Sequence, residues 1–139
     1  MPDALNPGPA PDAVPLFPGA ALLDAEKLDC YRIAVEFQQL AGQLLPKRGQ
    51  SNLRDQLDRA SVSIVLNIAE GAGRTSALDK ARFYAMARGS ATECAAIVDV
   101  LAVRGLIQPR ARARARSLLV RIVQMLTRLN ASLARQATE

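Results

Sequence analysis

Histidine is missing from this chain of 139 residues, and its absence closes off a large share of enzyme chemistry. No Ser-His-Asp or Cys-His relay can be assembled, and the Glu-x-x-His pairs that build carboxylate metal sites in helical bundles have no imidazole to use. Cysteine is nearly as scarce: Cys30 and Cys94 lie far apart, with no second Cys at metal or redox spacing, so they are read as two reduced core thiols. No metal or cofactor is expected. Tryptophan is absent, and Phe17, Tyr31, Phe37, Phe83 and Tyr84 are all the aromatics there are. So few rings beside abundant Ala, Leu, Arg and Gln favour helix over strand, and they leave little with which to stack on bases. No apolar stretch approaches the ~20 residues that span a bilayer, and no basic segment with an apolar run opens the chain. A soluble cytoplasmic protein is expected, with no membrane partner.

Acid is missing from one end. Residues 110–139 hold seven arginines and one acid, Glu139, for a net of +6, whereas the first 109 residues hold eleven basic and twelve acidic side chains, for a net of −1. The basicity therefore belongs to one segment.

Half of the residues are hydrophobic, enough for one domain with a real core. Residues 1–23 are excluded from it, because Pro2, Pro7, Pro9, Pro11, Pro15 and Pro18 break helix repeatedly. They read as a disordered tail, and Leu16, Phe17, Leu22 and Leu23 as a weakly ordered linker rather than a docked segment. Residues 24–136 read as four helices, at about 25–45, 52–70, 77–104 and 110–136. The first is expected after Asp24 as N-cap, with a core face of Cys30, Ala34, Phe37, Ala41 and Leu44, and to end at Pro46. The second carries Leu53, Leu57, Ala60, Ile64 and Ile68, and Gly71 suits a left-handed C-terminal position. Thr75 or Ser76 caps the third, whose inward side is read as Leu78, Phe83, Met86, Ser90, Ile97 and Leu101. The fourth follows Pro109 and buries Leu118, Ile122, Met125, Leu129 and Leu133, widened by Leu119 and Leu126. Such stripes, joined by short turns, are buried together in an all-α, antiparallel up-down four-helix bundle.

Two constellations stand apart from the core. On the fourth helix, Arg114, Arg121, Arg128 and Arg135 recur every seven residues in a line flanking the apolar stripe, with Arg110, Arg112 and Arg116 adding charge near its start. A line of guanidinium groups can hold phosphates and release counterions, so RNA, DNA or another polyanion is the favoured partner. The other readings are a solvated flank, a subunit interface and a membrane surface. On the second and third helices, Gln56, Arg59, Ser63, Asn67, Glu70, Arg74, Arg82, Ser90 and Glu93 recur at helical spacing. Asn67 occupies an expected core position and needs partners, sought on the third helix at Arg82, Ser90 and Glu93. The structural reading is a hydrogen-bonded network that fixes helix register or a subunit contact. The chemical reading makes Glu70 and Glu93 paired carboxylates, and the lack of His weighs against it. Gly71 to Arg74 lacks the Gly-Lys-Ser/Thr ending of a phosphate loop, so a capping role suffices.

The run Arg59-Ala60, Ser63, Asn67-Ile68-Ala69-Glu70-Gly71, Gly73-Arg74, followed by Arg82-Phe83, Ala87, Gly89-Ser90 and Glu93, resembles the four-helix-bundle family named for intervening sequences in bacterial 23S ribosomal RNA genes. The resemblance covers roughly Leu23 to Leu133. It implies an up-down bundle that assembles with itself into a ring, typically a pentamer. It also implies a likeness to the basic accessory proteins that serve a reverse transcriptase in diversity-generating retroelements. Arg59, Ser63, Asn67, Glu70, Arg74, Ser90 and Glu93 match the signature, with no catalytic role implied. The Pro-rich tail, the turn from Lys47 to Ser51 and the Arg-rich last helix depart from the family pattern. The expectation is a non-enzymatic, ring-forming bundle that gathers nucleic acid on its basic C-terminal helix, as accessory to a partner enzyme. The alternative is a structural scaffold that binds only protein.

Overall fold

The computed structural model describes residues 16–17, 21–44 and 49–137; the Pro-rich segment up to residue 15 and the Pro46 turn lie outside them. Four helices account for the fold: α1 (Asp29–Leu44), α2 (Ser51–Ala72), α3 (Ala77–Val103) and α4 (Pro109–Ala137). Each helix packs on the two beside it, α1 on α2 and α4, and α3 on α2 and α4, while the diagonal pairs do not meet. The result is an all-α four-helix bundle. Its up-down order shows in the cross-links at its ends. At one end an Arg104 NH group from the close of α3 donates to Gln50 Oε1 before α2, at 2.7 Å. At the other, Asn130 Nδ2 late in α4 donates to Ala81 O early in α3, at 3.2 Å.

The core follows the helical periodicity. Phe37, Leu57, Ile64, Ile68, Leu101, Leu119, Ile122 and Leu126 are fully enclosed, one or more from every helix. All five positions assigned to the first helix's inner face are buried, joined by Ile33 and Leu40. Met125, Leu129 and Leu133 pack against the core from a half-buried position, because α4 extends past the start of the short α1.

The third helix departs from its expected face. Its buried side is Tyr84, Ala87, Ala91, Cys94, Ile97, Val98 and Leu101. Leu78 and Met86, assigned inward, are exposed at 82% and 47%. The helix carries apolar residues on both sides, and small Ala87 and Ala91 face the core so that its neighbours can approach closely.

The helix ends also revise the expected caps. Asp24 precedes a single 3-10 turn (Ala25–Lys27) and makes no side-chain cap bond; α1 starts only at Asp29, after the extended residue Leu28. The segment before it is not a bare linker, since Phe17 sits edge-on to Tyr31 at 6.0 Å and under the Arg32 guanidinium at 5.4 Å. Gly71 lies inside α2, and the left-handed glycines among the described residues are Gly49 and Gly105 (φ 69° and 72°). Gly105 closes α3 with paired bonds, Leu106 N–H to Leu101 O and Gly105 N–H to Ala102 O, which satisfy carbonyls the helix leaves open. Ser76 Oγ accepts from Asp79 N–H at 3.1 Å and caps α3. Lys80 Nζ donates to the carbonyls of Gly71 and Ala72, holding a positive charge at the C-terminal end of α2.

Candidate functional site: the basic helix and the polar seam

α4 contains seven arginines and neither Asp nor Glu. Because successive residues turn by about 100°, Arg110, Arg112, Arg114 and Arg116 alternate between the two flanks of the helix. Arg110, Arg114, Arg121, Arg128 and Arg135 share one flank, facing the side of α1. Arg128 there lines a groove with Lys27, Leu28 and Asp29. Arg112 and Arg116 lie on the flank toward α3. Arg112 Nε donates to Asp99 Oδ1 at 2.9 Å, and Arg116 rims an apolar groove beside Ala91 and Ala95. The signal for this division was in the spacing itself: i and i+2 positions never share a helix face.

Within the first flank, Arg110, Arg121, Arg128 and Arg135 are exposed, and Arg114 is half-buried. The buried Nε of Arg114 finds no acceptor among the described residues. Arg121 and Arg128 form no ion pair with a described residue. From Arg110 to Arg135 the line runs about 38 Å, at 1.5 Å per residue.

The polar seam lies between α2 and α3 and divides into three parts. At its centre Ser63 Oγ and Ser90 Oγ are 2.9 Å apart, and Asn67 Nδ2 donates to both Ser63 Oγ and Ser63 O, each at 2.9 Å. Asn67 is half-buried and takes its partner from its own helix, not from Arg82 or Glu93; Ser63 carries the link to α3. Toward the C-terminal end of α2, Arg74 pairs with Glu70 and stacks over the Phe83 ring at 4.9 Å. Arg82 reaches the same ring at 5.4 Å and Asp79 at 3.7 Å. Toward the other end, Gln56, Arg59 and Glu93 border an open groove with Ser63 and Ser90, and their side chains bond to no described residue.

Glu70 and Glu93 therefore belong to different parts of the seam, one held by Arg74 and one facing the groove. Among the described residues no three His, Cys, Asp or Glu side chains come together as a metal site. The thiols sit inside the core: burial pushes Cys30 up to about 11 and Cys94 up to about 12, so neither is activated as a nucleophile. Burial also pushes the Tyr84 hydroxyl up to about 12. No helix among the described residues is long and apolar enough to cross a membrane.

Fold and surface together define a small all-α four-helix bundle with one strongly basic helix. The family profile of the 23S rRNA-intervening sequence protein matches residues 26–128, most of the chain, and the protein belongs to that family. This is a family of small helical proteins, not a known enzyme family. No curated protein matches the chain significantly.

Proposed function

We propose that this bundle is a non-enzymatic nucleic-acid-binding protein that self-associates and holds the phosphate backbone of RNA or DNA along α4. The observation that carries the reading is the line Arg110, Arg114, Arg121, Arg128 and Arg135 on a helix without a single acid. An acid-free line of this length gains by counterion release and reads no base, so affinity depends on salt far more than on sequence. Self-association is supported by the exposed apolar side chains Val62, Leu66, Leu78 and Met86, which a lone bundle leaves in water. A closed ring, the pentamer that the family resemblance implies, is the proposed assembly. Such a ring would present several basic helices and could serve a partner enzyme such as a reverse transcriptase.

Gel-shift titrations at several salt concentrations test the binding. The wild type should bind duplexes of unrelated sequence alike, with log K falling linearly in log salt at about −0.9 per phosphate neutralised. Replacing Arg110, Arg121, Arg128 and Arg135 by Gln keeps helix propensity and should lower both affinity and slope. Equal binding by the wild type and this variant, or no binding by either at low salt, leaves a scaffold that contacts only protein.

A further inference from the structure

The self-association proposed above leaves open which surfaces meet, and two features that the polyanion reading does not use fit one another. The first is a ridge on the outer side of α2, where Val62 and Leu66 are exposed at 40% and 61%. Asp58 precedes Val62 by one helical turn and Asp55 by two, and neither acid forms an ion pair with a described residue. The second is a groove of about 160 Å³ between α3 and α4, floored by Ala91, Ala95, Leu119, Val120 and Val123 and rimmed by Arg116. It is apolar and below the roughly 300 Å³ at which small-molecule sites begin, so an apolar side chain fits it better than a ligand does. Arg116 forms no ion pair with a described residue.

We propose that the Val62–Leu66 ridge of one copy docks in the α3–α4 groove of a second copy, with Asp58 of the first beside Arg116 of the second. The spacings match. Asp58 stands four residues before Val62, and Arg116 stands four residues before Val120, about 6 Å in both cases. Seating Val62 against Val120 with the two helices parallel brings the carboxylate to the guanidinium. The parallel direction holds for a ring whose axis runs along the bundle: α2 and α4 run the same way in an up-down bundle, and rotation about such an axis preserves direction. α2 and α4 are diagonal within one bundle and do not meet, so no copy can seat its own ridge. Ridge and groove are different surfaces, so the contact is head-to-tail and every copy offers one of each, an arrangement that gives a ring where the rotation closes and an open filament where it does not. Arg116 lies on the flank opposite the Arg121–Arg128 line, so one helix can serve a neighbour and a polyanion at once.

Light scattering after size exclusion tests the contact. Leu66 and Val120 are exposed in the single bundle, so Leu66→Glu and Val120→Glu should keep the helical circular dichroism while each reduces the assembly to monomer. Mixed in equal amounts, the two variants retain one intact ridge and one intact groove between them and should yield a one-to-one dimer that grows no further. Asp58→Arg and Arg116→Asp should each weaken assembly, and the two together in one chain should restore it. Wild-type mass in either apolar variant, a mixture that stays monomeric, or a double charge swap no better than its singles would overturn the proposal. A monomeric wild type would end self-association altogether, whereas an oligomeric wild type whose variants also assemble would end only this pairing. Gel shifts on the same samples report the polyanion reading separately.

Discussion

Gly71 faces Tyr84 across the α2–α3 contact so closely that a Cβ at position 71 would stand 2.8 Å from Tyr84 Cε1 and 3.0 Å from Phe83 Cβ. Gly71 is buried, and its role is close approach between helices, not an unusual backbone angle. Gly71→Ala should therefore destabilise the protein by about 1–2 kcal/mol through overpacking, despite alanine's better helix propensity. Gly42, in α1 with nothing within 4 Å of a built Cβ, supplies the opposite sign. Gly42→Ala should stabilise by about 0.5–1 kcal/mol. Urea denaturation of the two variants checks both.

The Ser63–Ser90 bridge, with Asn67 on it, joins α2 to α3 through a half-buried chain of hydrogen bonds. Ser63→Ala removes two bonds, one shared with the Ser90 hydroxyl and one accepted from Asn67 Nδ2, and should cost about 1–3 kcal/mol. Ser90→Ala removes only the bond to Ser63 and should cost about 0.5–1.5 kcal/mol, and the double variant less than the sum, because both remove that bond. Asn67→Leu should change thermal stability or oligomer size and leave nucleic-acid affinity unaltered, as the seam lies away from the arginine line. A gel shift beside a thermal melt separates the two effects.

The buried thiols make the fold sensitive to alkali. In the unfolded chain a thiol ionises near pH 8.5, whereas Cys30 is pushed up to about 11 and Cys94 up to about 12. Above about pH 8.5 the unfolded chain releases protons that the folded chain retains, so stability is complete below that pH and falls as pH rises. The loss should reach about 2 kcal/mol per thiol between pH 8 and pH 10. Denaturation midpoints at the two values measure it, and the fall should flatten in the Cys30→Ala, Cys94→Ala double variant. At pH 8 both thiols should resist alkylation until the chain is unfolded.

The Arg112–Asp99 pair, 2.9 Å apart with the two side chains 42% and 49% exposed, ties α4 to α3 in contact with water. Asp99→Asn should cost less than about 1 kcal/mol, and the cost should shrink as salt is raised. A larger loss, steady across salt, would mean that the pair is desolvated in the assembled protein.

Much of this architecture is legible along the chain. Spacings of three and four mark the inner faces of α1, α2 and α4, and Ser76 and Pro109 mark where helices begin, because periodicity and caps are local properties. The line of arginines is local too, since seven residues make nearly two turns of any helix. Other features depend on which helix stands beside which. α3 is apolar on two sides, and only its neighbours decide that Ala87 and Ala91 turn inward while Leu78 and Met86 face water. Gly71 reads as a helix stop until Tyr84 is placed against it. Asn67 could have turned to α3, but Ser63 stands one turn away on the same helix and offers two oxygens, so the nearer partner takes the bond. The sequence by itself determines the helices and their charge; packing alone determines which faces remain exposed for a partner.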